Sequence, residues 1–249
     1  MRPRTLLPAG LAVLAAVVFS LLSAWQWQRL AWKQGLIDRA STRANAQPQA
    51  LPPPATWAGL RREDIEYQRV TLSGRPDPSR ERLVLASTGL GRGHWLLQPL
   101  LLADGRWVWV NRGFVDDAHR DASRRPAPAG ELTLTGLLRW TEPSGWLWQH
   151  NDASDGPAGR WVSRELPALS ASARLPAGTV APFFVDEAAT PGDPGAAMRF
   201  PRPGLTVLQF SNNHRVYALT WMALALGSLA GAVLAWRHRH RPPEPPPDP

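Results

Sequence analysis

The chain has no cysteine. That excludes disulfides, thiol catalysis and every thiolate metal site. Methionine is confined to Met1, Met198 and Met222, which excludes a methionine-rich copper site. Lysine is nearly missing too: of 28 basic residues only Lys33 is a lysine. The arginines come with 26 prolines, 20 glycines and abundant alanine, a genome-wide compositional bias. The net charge of +8 therefore carries little weight as a sign of nucleic acid, because no basic helix or RNA-binding aromatic pattern goes with it.

Catalytic signatures are also lacking. There is no H-E-x-x-H, no G-x-S-x-G and no glycine-rich phosphate loop. The G-L-G-R-G run at Gly89 to Gly93 precedes a strand instead of opening a helix, so it reads as a turn. His94, His119 and His150 stand far apart without partners at metal-ligand spacing, and His119 and His150 read as solvated. The pairs Asp116-Asp117 and Asp186-Glu187 read as solvated loop carboxylates, and His238 and His240 as tail charge. No specific pattern supports an enzyme.

What the chain does have is two long apolar runs. Residues 6–24 are almost wholly apolar, preceded by Arg2 and Arg4 and followed by Trp25 and Trp27. Residues 216–236 form the second run, and roughly twenty such residues cross a bilayer of about 30 Å as a helix. A cleaved signal peptide competes for the first run, but Leu22-Ser23-Ala24 puts a bulky leucine where cleavage wants a small residue. The expectation is an uncleaved anchor. Arg237, Arg239 and Arg241 follow the second run, so the positive-inside rule places both termini in the cytoplasm. The expected layout is a cytoplasmic terminus at 1–5, a span at 6–24, an external domain at 25–213, a second span at 214–236 and a cytoplasmic tail at 237–249.

Ala12, Ala16, Ser20 and Ala24 in the first span recur at spacing four, as do Ala223, Gly227, Gly231 and Ala235 in the second. Small residues let helices approach closely in lipid, which predicts that the spans pack on these stripes. His214, Tyr217 and Trp221 share another face, predicted to point away from the first span and to be free at its outer end. An ionisable group at a membrane edge is either a functional group or a plain helix cap. Position alone leaves both open for His214.

Beyond the first span, Trp25, Trp32 and Leu36 keep helical spacing, which extends that helix to about Ala46, before Pro48. From Tyr67 the period changes to two. Strands are expected at 67–74, 83–86, 94–102, 107–111, 132–140, 146–149, 160–163, 183–186 and 206–210. Asp104-Gly105 makes a hairpin turn, and one short helix is expected across 164–173. Many short strands closed by frequent turns predict a curled sheet, sandwich or barrel. The fold class is thus a membrane protein with two transmembrane helices flanking a mainly-β (α+β) external domain.

Four stretches together resemble one family. They are W-Q-W-Q-R-L-A-W-K-Q-G-L from Trp25, Y-Q-R-V-T-L-S-G-R from Tyr67, G-R-W-V-W-V-N-R-G-F-V from Gly105 and N-N-H-R-V-Y-A-L-T-W from Asn212. In this order they resemble the surfeit locus protein 1 family of cytochrome c oxidase assembly factors, over nearly the whole chain. Arg215 stands where the family usually has leucine, Met222 where an aromatic is common and Phe114 where tryptophan is usual.

The resemblance implies a non-enzymatic assembly factor for haem–copper oxidase, and the positive-inside layout then puts it in the cell inner membrane with its main domain expected in the periplasm. It implies binding of haem a and help in its insertion into the catalytic subunit, with His214 as the iron ligand. Tyr217 and Trp221 would wall the macrocycle, Trp25 and Trp32 would complete a groove, and Arg215 would meet either a haem propionate or a lipid phosphate. Implied partners are the oxidase catalytic subunit, the haem a synthesis machinery and membrane lipid, with no nucleic acid. The alternative is a structural chaperone that grips an oxidase subunit without a cofactor.

Overall fold

The computed structural model describes residues 6–125, 130–143, 150–152, 159–190, 192, 195, 198–206 and 212–239. The chain divides into two units, one of residues 1–39 with 209–249 and one of residues 40–208. In order the elements are α1 (Leu6–Asn45), β1 (Gln49–Ala50), α2 (Arg62–Ile65), β2 (Arg69–Pro76), β3 (Arg82–Thr88), β4 (Gly91–Leu101), β5 (Trp107–Val115), β6 (Leu132–Trp140), α3 (Leu166–Ser172), β7 (Val180–Glu187) and α4 (His214–Arg239). Two apolar helices therefore flank a β-rich domain, the architecture of a membrane-anchored α+β protein.

In the helical unit, α1 and α4 are both long and apolar enough to cross a membrane. Among the shielded positions of α1 one series runs through Ala12, Ala16, Phe19, Ser23, Gln26, Leu30, Lys33 and Ile37, flanked by partly shielded Ala9, Ala15, Leu22 and Gly35, and those of α4 are His214, Ala218, Trp221, Ala225, Ser228 and Ala232. Both series alternate steps of four and three. That averages 3.5 residues and keeps a seam in line between two left-handedly crossing helices. The small-residue stripes are corrected accordingly. Ser20, Ala24, Ala223, Gly227, Gly231 and Ala235 face outward, and a Cβ added at Gly227 or Gly231 would meet nothing within 4 Å. A step of four on a 3.6-residue helix walks about 40° sideways each time, so a partner helix cannot follow it.

Across the seam the Ser23 hydroxyl donates to the Ala218 carbonyl at 2.9 Å, an approach that the single methyl of fully buried Ala218 permits. The cysteine-free chain makes this testable. Ser23→Cys with Ala218→Cys is expected to crosslink under mild oxidation in membranes, and Ala24→Cys with Gly231→Cys is not. The reverse pattern would refute the seam.

The β-domain is a closed ring. The sheet order is β1-β2-β6-β7-β5-β4-β3, and β2 also pairs with β4. Strands β2, β6, β7, β5 and β4 thus form a five-stranded barrel, closed by Arg75 opposite Leu101 and Pro76 opposite Leu100. Its interior holds Val70, Leu72, Leu100, Val108, Val110, Leu134, Leu138, Phe183 and Val185, joined by Trp57 and Ile65. Trp109, Phe184 and Leu97 point the other way and pack under α3 with Val84, Trp161, Leu166 and Leu169. The alternation of side chains along a strand explains why β5 and β7 are apolar on both faces: one faces the barrel, the other α3.

The strands expected at 67–74, 83–86, 94–102, 107–111, 132–140 and 183–186 map onto β2 to β7, the short helix is α3, and α1 continues to Asn45, whereas 160–163 forms no strand and makes only isolated bridges through Arg160 and Trp161. The Asp104-Gly105 turn joins β4 to β5, with Gly105 at φ 81°. Gly89 to Gly93 lies at the turn between β3 and β4. The strand expected at 146–149, and residues 207–210 of the last one, lie outside the described residues.

Candidate functional site

The first candidate is the end of the helix pair where α4 begins. His214 is its first residue, and its Nδ1 lies 2.7 Å from the Oε1 of Gln26 on α1. One turn further, Ala218 meets Ser23. A second turn brings Trp221 onto Phe19, stacked at 5.5 Å and 21°. The histidine face is therefore not free of the first span, contrary to the sequence expectation; it is the seam. The positions i, i+4 and i+7 that carry His214, Ala218 and Trp221 are those a 3.5-residue seam selects.

The other expected site residues fall outside it. Tyr217 is 53 % exposed and Arg215 faces outward. Trp25 and Trp32 are 54 % and 50 % exposed, with the Arg29 guanidinium 3.9 Å above the Trp32 ring. So the structure joins His214 and Trp221 through α1, and leaves Tyr217, Arg215, Trp25 and Trp32 on outward faces. Among the described residues no three His, Asp or Glu side chains gather as a metal site. His214 offers a single nitrogen ligand: Nδ1 faces Gln26, and Nε2 has no partner among the described residues. That donor set fits a haem iron, which one imidazole can hold.

The β-domain carries a second constellation, which is structural. Asp186, 2 % exposed, accepts from Asn111 Nδ2 at 2.8 Å, Arg139 Nη1 at 2.9 Å, Thr206 Oγ1 at 3.0 Å and Arg164 Nη1 at 3.3 Å. Glu66 accepts from Arg139 Nε at 3.1 Å and from the Trp140 amide at 2.8 Å. Glu142 takes Arg139 at 3.0 Å and Arg164 at 2.7 Å. Burial on its own lowers the Arg139 pKa, but Asp186, Tyr67, Glu66 and Glu142 more than offset it, and the pKa is raised. Glu187 receives Arg112 Nε at 2.5 Å, and burial pushes its carboxyl up against that pull.

Asp186-Glu187 thus ends β7 with Asp186 buried and Glu187 half-buried, both held by arginines, and is not a solvated loop. The sequence reading erred because the two residues end a strand expected to stop at Asp186, and their arginine partners come from β5, β6 and the segment before α3. His119 also differs from expectation. Its ring stacks on Phe200 at 4.3 Å and its Nδ1 lies 2.6 Å from the Asp116 carboxylate. His94 is buried, and that burial, helped by Arg120, lowers its pKa against the pull of Asp117.

The residues that sequence reading missed at the helix site are Phe19, Ser23 and Gln26. Their signal was present: a polar pair three residues apart on the face of an apolar helix is costly in lipid unless it has a partner.

A sequence model of the SURF1 family matches residues 13–226. The chain is 29% identical over 243 residues to a SURF1-like protein of Caenorhabditis elegans, covering 88% of this chain and 70% of that protein. It is 27% identical over 239 residues to the Surfeit locus protein 1 of Xenopus tropicalis, covering 88% and 72%. To the Surfeit locus protein 1 of Homo sapiens it is 27% identical over 223 residues, covering 82% and 69%.

Proposed function

Because the chain belongs to the SURF1 family, a family of oxidase assembly factors and not of catalysts, we propose that it binds haem a through His214 and assists its insertion into the catalytic subunit of a haem–copper oxidase. The observation that carries this reading is the state of His214: one ring nitrogen is engaged by Gln26 and the other has no partner among the described residues. A neutral imidazole in that state is a ready axial ligand. It stands at the start of an apolar helix, so the macrocycle can sit at the membrane edge with its farnesyl tail in lipid. Tyr217, Trp25 and Trp32 expose aromatic faces for the ring system, and Arg215 exposes a cation that suits a propionate.

An assembly factor has to give up its cargo. A single exchangeable ligand suits release better than a closed two-ligand site, and among the described residues no three His, Asp or Glu side chains gather as a metal site. We place the β-domain in the periplasm and both termini in the cytoplasm of a cell with an inner membrane, on the arginine asymmetry of the flanks. The partners in this reading are the oxidase catalytic subunit, the haem a synthesis machinery and membrane lipid.

Co-expression with the haem a synthesis enzymes tests it. The purified wild-type protein is expected to carry haem a with a Soret band, and His214→Ala to lose most of both. Equal haem content and an unchanged spectrum in His214→Ala would remove His214 from the role. A colourless wild-type protein in the presence of abundant haem a would leave a structural chaperone as the function.

A further inference from the structure

The geometry points to Gln26 as a positioning residue that fixes the tautomer and ring orientation of His214, so that Nε2 is the nitrogen presented to iron; this rests on the haem a reading above. A neutral imidazole carries one N–H and one lone pair. The Gln26 atom facing Nδ1 is the amide oxygen, at 2.7 Å. An amide oxygen only accepts, so Nδ1 bears the proton and the lone pair lies on Nε2. Ligating histidines are commonly held this way, their second nitrogen donating to a carbonyl that fixes the ring and raises its basicity as a ligand.

The surroundings hold Gln26 in place. It is 8 % exposed, on the α1 seam between Ser23 and Leu30. Ser23 is tied to Ala218 at 2.9 Å, and Phe19 is stacked on Trp221. The two helices are therefore clamped one and two turns further along the seam from the Gln26–His214 bond. The bond lies at the start of α4 and draws one partner from each helix. A hydrogen bond that merely joined two spans would work equally well with either nitrogen protonated, so the tautomer is the property that separates positioning from gluing.

The test uses the full-length chain in lipid nanodiscs. Long-range imidazole nitrogen–proton spectra of the haem-free protein are expected to show His214 protonated at Nδ1. Gln26→Leu is expected to give a mixture of tautomers, and Gln26→Glu, which keeps an acceptor, to restore the Nδ1-protonated form. In protein loaded with haem a, Gln26→Leu is expected to weaken haem affinity roughly 10- to 100-fold. It should also shift the iron–histidine stretching frequency, with Gln26→Glu close to wild type in affinity. Crosslinking of Ser23→Cys with Ala218→Cys in the Gln26→Leu background verifies that the helix pair is intact. A wild-type protein that binds haem a through His214, alongside a Gln26→Leu variant with the same tautomer and iron–histidine frequency, overturns the role of Gln26 and leaves the haem a function standing. A wild-type protein that binds no haem a overturns both.

Discussion

Replacing Asp186 by alanine is expected to destabilise the β-domain by about 3–5 kcal/mol, the range for removing one partner from a buried charge network. The reason is the number of groups that converge on it. Asn111, Arg139, Arg164 and Thr206 all donate to its carboxylate, which is 2 % exposed. Arg139 would keep Glu66 and Glu142, and Arg164 would keep Glu142, so neither cation is left bare and the loss falls at the lower end of that range. Asn111 is affected differently. Its amide loses an acceptor while its oxygen still receives the Gly113 amide at 3.1 Å. Denaturant titration of the full chain in detergent, followed by the fluorescence of buried Trp109 and Trp161, measures the loss. A drop under about 1 kcal/mol would place Asp186 among surface pairs, which contribute no more than that.

This network also explains why the Asn111-Arg112-Gly113 run is a motif. Asn111 joins β5 to Asp186 on β7, and Arg112 reaches Glu187 on β7 and Gln98 on β4. The run therefore ties three neighbouring barrel strands by side chains as well as by ladder bonds. Its role is architectural, whereas Gln26 and His214 join two motif stretches at the candidate haem site.

Legibility from sequence followed the physics of each feature. Local periodicity reveals the strands: β6 is legible end to end because Leu132 and Leu134 alternate with Thr133 and Thr135, and Leu138 keeps the same two-residue step from Leu134. The length of α1 was legible because nothing breaks its helical pattern before Pro48. Closure of the barrel was not, because it depends on two residue pairs between β2 and β4 that no local pattern encodes. The seam between the helices is not legible from the alanine and glycine stripes, because most of those positions face outward. The structure instead uses one stacked aromatic pair, Phe19 and Trp221, and one polar pair, Gln26 and His214. The position of His214 at the start of an apolar helix is legible in the sequence, but the partner that holds it lies 188 residues away.

The second large effect is expected at Gly113, where Gly113→Ala should cost about 2–5 kcal/mol through two additive causes. The first is backbone: φ is 123°, a conformation that costs an L side chain about 1–2 kcal/mol. The second is space. A Cβ there would lie 2.1 Å from the Arg202 carbonyl oxygen, 2.3 Å from its carbon and 2.5 Å from the Pro203 nitrogen. All three are backbone atoms, so no side-chain rotation relieves the overlap, and forced shifts of this kind add about 1–3 kcal/mol. The Arg202 segment cannot simply retreat, because Phe114 and Arg202 exchange backbone hydrogen bonds at 2.9 and 2.8 Å. Displacing it would also draw Phe200 away from Phe114 and His119. Thr206, four residues on, donates to Asp186, so the same movement reaches the charge network. Limited proteolysis and denaturant titration of Gly113→Ala should therefore show earlier cleavage near residues 198–206 and a lowered unfolding midpoint. Wild-type values for both would mean that the Arg202 segment yields freely, and that its two hydrogen bonds to Phe114 do not hold it.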